Sequence, residues 1–141
     1  FIQSKFDVLI LASIIEKDGK KSEELKNISS VFLNRLDKNM KLQSDVTVAY
    51  ALNKKGNRLN TLDLKSKNYF NTYRYRGLPP TPICYPGEKA ILAVLYPNNT
   101  DYLYFVSDGR GGHRFSKNFL EHKKNIKLWI KDLKNYGKNK K

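Results

Sequence analysis

The run Phe6-Asp-Val-Leu-Ile-Leu-Ala-Ser-Ile-Ile-Glu-Lys-Asp18 is apolar from Val8 to Ala12 and again at Ile14 and Ile15, with no polar stripe recurring at helical period. A helix made from it would be apolar around nearly its whole circumference, so it belongs in the interior with the other segments packed around it. It ends on Glu16, followed by Lys17, Asp18 and the breaker Gly19. Desolvation and the partial negative charge of a helix C-terminus both disfavour a charged carboxylate there, which would leave Glu16 a proton to donate near neutral pH. Solvation at the rim, or pairing with Lys17 or Lys20, is the other reading, and this stretch alone leaves both open.

The composition sets the frame. A chain of 141 residues suits one domain with one substantial core. We expect that domain to span residues 1–136, with a Lys-rich disordered tail at 137–141. The sequence opens on Phe1, with no signal-peptide pattern and no apolar run of membrane-spanning length, so it reads as a fragment whose anchor lies upstream. Cys84 is the single cysteine and cannot form an intrachain disulfide. The net charge of +14 raises nucleic acid as a partner, but only six of the 27 basic residues are Arg, the side chain suited to bidentate recognition of phosphate and guanine. Many of the Lys lie from Lys123 onward, on what reads as a solvated helix face.

Moving outward from the central helix, Ser22 is positioned to cap a second helix with Glu23 and Glu24 in its first turn. Leu25, Ile28, Val31, Phe32 and Leu36 follow at helical spacing, and Arg35 falls beside the apolar face, either snorkelling or paired with an internal carboxylate. Gln43, Ser44 and Asp45 precede a helix over Val46 to Asn53; capping accounts for one of them, not for three hydrogen-bonding side chains in a row. Residues 54–68 read as a surface loop broken by Gly56, with a short helical turn near Leu62 to Lys65. From Tyr69 to Ile83, Pro79, Pro80 and Pro82 impose a rigid extended path, and its Tyr, Asn, Thr and Arg side chains suit the wall of a polar-ligand site. A helix over Glu88 to Leu95, a β-hairpin from Tyr102 to Phe115 turning at Asp108-Gly-Arg-Gly-Gly112, and a closing helix from Lys117 to about Tyr136 complete the chain. Ser116 is expected to cap that last helix, which should turn Phe119, Leu120, Ile126, Trp129, Ile130 and Leu133 inward. The fold class is therefore α+β, several helices around a small antiparallel sheet.

Taken in order, Leu11-Ala-Ser-Ile-Ile-Glu-Lys, Val31-Phe-Leu-Asn-Arg-Leu, Leu42-Gln-Ser-Asp-Val-Thr-Val, Tyr69-Phe-Asn-Thr-Tyr, Gly77-Leu-Pro-Pro-Thr-Pro-Ile, Tyr102-Leu-Tyr-Phe-Val and Gly112-His-Arg-Phe-Ser with Glu121-His122 resemble the YceG-like endolytic murein transglycosylases over almost the whole chain. The resemblance implies that Glu16 is the catalytic glutamate. It implies that Gln43, Ser44, Asp45, Asn71, Tyr73 and His113 hold the substrate, and that Ser13 and Arg35 support the cleft. The chain departs from the family where members often carry a second glutamate after the Lys, here Asp18, and a small residue between the proline pairs, here Thr81.

The implied reaction breaks the bond between N-acetylmuramic acid and N-acetylglucosamine. One acid/base protonates the leaving oxygen and the muramyl 6-hydroxyl closes a 1,6-anhydro ring, so a single carboxylate suffices. The residues by themselves leave open a water-using muramidase with Asp45 as the second carboxylate, or a glycan-binding module without catalysis. No cofactor is expected and no metal site is visible, since His113 and His122 lack neighbours at ligand spacing. The implied partners are peptidoglycan glycan strands, peptidoglycan synthases and a membrane reached through an upstream anchor, not nucleic acid. The implied location is the bacterial envelope, at the periplasmic face of the inner membrane.

Overall fold

The computed structural model describes residues 2–55 and 58–139. Its elements in chain order are α1 (Lys5–Asp18), α2 (Leu25–Asp37), α3 (Asp45–Leu52), α4 (Glu88–Leu95), β1 (Tyr104–Ser107), β2 (His113–Ser116) and α5 (Phe119–Asn139). The fold is α+β, as expected.

Helix α1 is the interior helix. It starts at Ser4, whose Oγ accepts a hydrogen bond from the Asp7 N–H at 3.1 Å. Every residue from Ile10 to Ile15 is buried. Leu11, Ile14 and Ile15 meet Ile28 and Phe32 of α2 and Ala93 of α4 in one apolar cluster. Each fully buried aliphatic side chain contributes about 1.5–3 kcal/mol by leaving water, so this three-helix contact dominates the stability of the fold. The antiparallel pair β1–β2 joins in the register Tyr104↔Ser116 to Ser107↔His113, and Phe105 and Phe115 pack against the same cluster.

The segment leading into the hairpin is tied to α2 by polar bonds. Asn34 Nδ2 donates to the carbonyls of Thr100 and Tyr102, both at 2.9 Å, and the hydroxyls of Ser30 and Thr100 are 2.6 Å apart. These bonds set the hairpin beside the helical body and leave a cleft between them.

Three helix ends differ from expectation, two of them because a side chain has a distant partner. Ser22 does not cap α2: Ser22–Glu24 form a 3-10 turn and Glu24 takes the N-cap position without bonding its own helix, because its carboxylate is held by the hairpin. Ser44 sits at the N-cap of α3, but its hydroxyl turns to Asp18. Ser116 is buried with its Oγ unbonded, and Asn118 caps α5 instead, its Oδ1 accepting from the Glu121 N–H at 2.9 Å. Helix α5 packs on β1 and β2, so Ile126, Trp129 and the partly exposed Phe119 reach the cleft while Leu120, Ile130 and Leu133 are exposed, against the expectation that all six turn inward. It extends to Asn139, into the stretch expected as a tail, whose last two residues lie outside those described, as does Gly56 of the expected surface loop.

Candidate active site

The cleft, about 460 Å³, lies between the end of α1, α2 and the loop before α3 on one side and the hairpin with α5 on the other. Of the two acids in the last turn of α1, Asp18 lines it and Glu16 does not. Residues two apart on a helix point about 200° from one another, so the last turn of α1 sends its two acids to different neighbours. Glu16 is exposed and its Oε1 accepts a hydrogen bond from the Gly87 N–H at 2.6 Å, which fastens the start of α4 to the end of α1. A methyl group at Gly87 would stand 2.7 Å from that oxygen, so glycine is what permits the approach.

Asp18 faces the cleft with its Oδ2 accepting from Ser44 Oγ at 3.0 Å. Burial pushes its pKa up to about 7, against the Ser44 hydrogen bond, which lowers it, and with a smaller upward push from the charge on Asp45. A carboxyl that holds a proton near neutrality is equipped both to donate it and to take it back.

Asp45 stands beside Asp18 with its Oδ1 accepting from the Tyr73 hydroxyl. Burial and that hydrogen bond push the Tyr73 phenol up, so it stays a donor. Gln43 lines the same wall with a backbone in the left-handed region, φ 51°, and its N–H donates to the Thr72 carbonyl at 3.2 Å. The Thr72 hydroxyl accepts from the Ser44 N–H at 2.9 Å and lies 2.9 Å from the Thr47 hydroxyl, so the loop carrying Gln43, Ser44 and Asp45 is pinned from beneath.

Across the cleft stands His113. Its Nδ1 is 2.9 Å from Glu24 Oε2, and its backbone N–H donates to the other oxygen of the same carboxylate at 3.0 Å. Glu24 therefore fixes both the ring and the strand that bears it. Arg35 reaches the cleft from α2, donating from Nε to the Leu103 carbonyl at 2.6 Å and from Nη1 to the Lys41 carbonyl at 2.7 Å. Burial lowers its pKa, yet an arginine stays charged.

Of the residues singled out from sequence, Gln43, Ser44, Asp45, Tyr73, His113 and Arg35 come together at the cleft. Asn71 does not. It is fully buried, its Nδ2 donating to the carbonyls of Leu64 and Ser66 at 3.0 and 2.8 Å while Oδ1 accepts from the Tyr73 N–H, so it shapes the turn that presents Tyr73. Ser13 lies inside the helical body, where Oγ accepts from the Ile83 N–H at 3.0 Å and docks the proline segment on α1. Sequence reasoning missed Glu24, 89 residues from the histidine it holds. It also left Tyr104 and His122, both on the cleft wall, without a role.

Residues 2–128 match the model of the YceG-like family. The chain belongs to the YceG-like family. This YceG-like chain is 41% identical over 123 residues to the endolytic murein transglycosylase of Bacillus subtilis (strain 168), covering 87% of the chain and 34% of that relative. It is 34% identical over 126 residues to the endolytic murein transglycosylase of Streptococcus pneumoniae (strain D39 / NCTC 7466), covering 85% of the chain and 23% of the relative. A 2.6 Å crystal structure of a YceG-like protein from Listeria monocytogenes superposes with a TM-score of 0.80 at 43% identity, over 86% of this chain and 39% of that one. The YceG-like chain thus spans about a third or less of the length of the curated relatives it matches.

Proposed function

We propose that this chain is the catalytic part of an endolytic murein transglycosylase acting on peptidoglycan glycan strands in the bacterial envelope, with Asp18 as its acid/base. The relatives that bear this activity in their names support the reaction class, and the observation that carries the residue is the position of Asp18: a carboxyl protonated to about pH 7, facing the cleft from the last turn of α1 and hydrogen-bonded to Ser44 on the pinned loop. Asp18 donates its proton to the oxygen of the bond between muramic acid and glucosamine as that bond breaks. The muramyl 6-hydroxyl adds to the anomeric carbon and returns its proton to Asp18, closing the 1,6-anhydro ring and resetting the acid. Asp45 is taken up by the Tyr73 hydroxyl and acts through its charge, which helps to keep the proton on Asp18. The reading extends to the whole protein as an enzyme held at the extracytoplasmic face of the membrane and working beside peptidoglycan synthases.

The test is mass spectrometry of purified glycan strands digested by the wild-type chain, Asp18→Asn and Glu16→Gln. Internal fragments ending in 1,6-anhydromuramic acid are expected from the wild type. The Asp18→Asn variant should lose roughly 10²–10⁴-fold, the usual worth of general acid–base catalysis. Glu16→Gln keeps an acceptor for the Gly87 N–H and should stay within a few-fold of wild type. The opposite pattern returns the acid to Glu16; reducing ends in place of anhydro ends make the chain a hydrolase; binding without cleavage makes it a glycan-binding module.

A further inference from the structure

The cleft holds a cation that the proton transfer leaves unused. Arg35 is only 6% exposed, and a guanidinium so enclosed is normally matched by a carboxylate. Its partners here are two neutral backbone carbonyls and the face of Tyr104, whose ring centroid lies 4.9 Å from the guanidinium carbon. Among the described residues no carboxylate forms an ion pair with it, and no hydrogen bond is made by its Nη2. The same Tyr104 ring stacks on His122, 4.8 Å between centroids, and His122 Nδ1 is buried without a hydrogen-bond partner. Burial, then the nearby Arg35, lowers the pKa of His122. One face of the Tyr104 ring thus carries a cation without a carboxylate, and the other an imidazole nitrogen without a partner.

The carbonyls fix the guanidinium plane through Nε and Nη1, which leaves the Nη2 end for a ligand oxygen. We propose that Arg35, with Tyr104 and His122 beside it, is a recognition site for a carboxylate of the peptide that murein carries on the lactyl group of its muramic acid. This rests on the murein reading above. The glycan chain itself is uncharged, so the anionic group delivered to a cleft that cuts at muramic acid is the carboxylate of the attached peptide. Ile126 and Trp129, on the same wall, give the small apolar side chains of such a peptide a surface to lie on. The enzyme would then select strands that still carry their peptides.

The probes are N-acetylmuramoyl-L-alanyl-D-glutamate and the same compound with both carboxyl groups converted to carboxamides, titrated into the wild-type chain by calorimetry. Binding of the carboxylate form at least about 10-fold tighter is expected, which corresponds to about 1.4 kcal/mol; equal binding of the two forms overturns the proposal. In the wild-type chain the Arg35 Nε–H resonance should shift with the carboxylate probe and not with the amide, a readout that does not depend on whether a variant folds. Arg35→Gln should bind both probes alike, and a retained preference in that variant removes Arg35 from the site. Binding is read without cleavage, so the two ideas separate. Strands cut normally with no probe preference would sink the carboxylate site alone. A clear preference in a chain that cuts nothing would sink the transglycosylase reading and leave the site standing.

Discussion

At the scale of single residues, the proton on Asp18 has a cost that can be measured without any substrate. In the unfolded chain the group ionises around 3.8, while in the fold it holds its proton to about 7. The native state therefore binds that proton more tightly, so this contribution makes stability fall as pH rises from about 4 to about 7 and flat above. A shift of this size corresponds to something on the order of 2–4 kcal/mol. Asp18→Asn removes the penalty while keeping an acceptor for Ser44, so it should melt several degrees above wild type at pH 8, with the gap closing as the pH is lowered towards 4. Parallel melting curves of the two proteins across that range would show that Asp18 titrates normally. The same residue marks the limit of what was legible. Both acids of the Glu16-Lys-Asp18 motif are plain in the sequence, but a helix apolar around its circumference gives no sign of which side each one faces. The bond from Gly87, 71 residues away, is what turns Glu16 aside.

At the scale of elements, the hairpin is attached to the helical body where Glu24 grips His113, and Gly112 makes that grip possible. A methyl at Gly112 would lie 2.9 Å from Glu24 Oε1 and 2.8 Å from Asp108 Oδ2. Gly112→Ala should therefore push the Glu24 carboxylate off the strand, costing about 1–2 kcal/mol in chemical denaturation for the lost hydrogen bonds and lowering strand cleavage through a misplaced His113. Unchanged stability and cleavage would show that the carboxylate has room to yield. Turn chemistry made the hairpin readable, helical spacing did the same for α2, and a continuous apolar run ending at the Gly19 breaker did so for α1. The caps were less readable, because Glu24 and Ser44 are suited to satisfying their own helices and the fold uses them elsewhere. Helix α5 was readable in extent and not in orientation: its apolar residues cover more of its surface than the two-stranded sheet can bury.

At the scale of the whole molecule, the cleft separates two unequal parts. Helices α1, α2 and α4 share the fully buried cluster, whereas the hairpin touches it through half-buried Phe105 and Phe115 and α5 rests on the hairpin. The fold class and the ordered motifs were legible because each is local in sequence; the division into two parts was not, because it depends on which apolar faces find partners. The charge of +14 belongs to this scale as well, with exposed Lys123, Lys124, Lys127, Lys131 and Lys134 along α5 giving a field that favours an acidic polymer over any single contact. The thin attachment of the hairpin has a further consequence, in time instead of space. Amides of α1 and α2 should exchange with deuterium only through global unfolding, while those of β1, β2 and α5 exchange through a smaller opening that leaves the helical cluster intact. That opening moves the wall bearing His113 away from the wall bearing Asp18, so the two walls of the cleft part and rejoin at the rate at which the hairpin lifts.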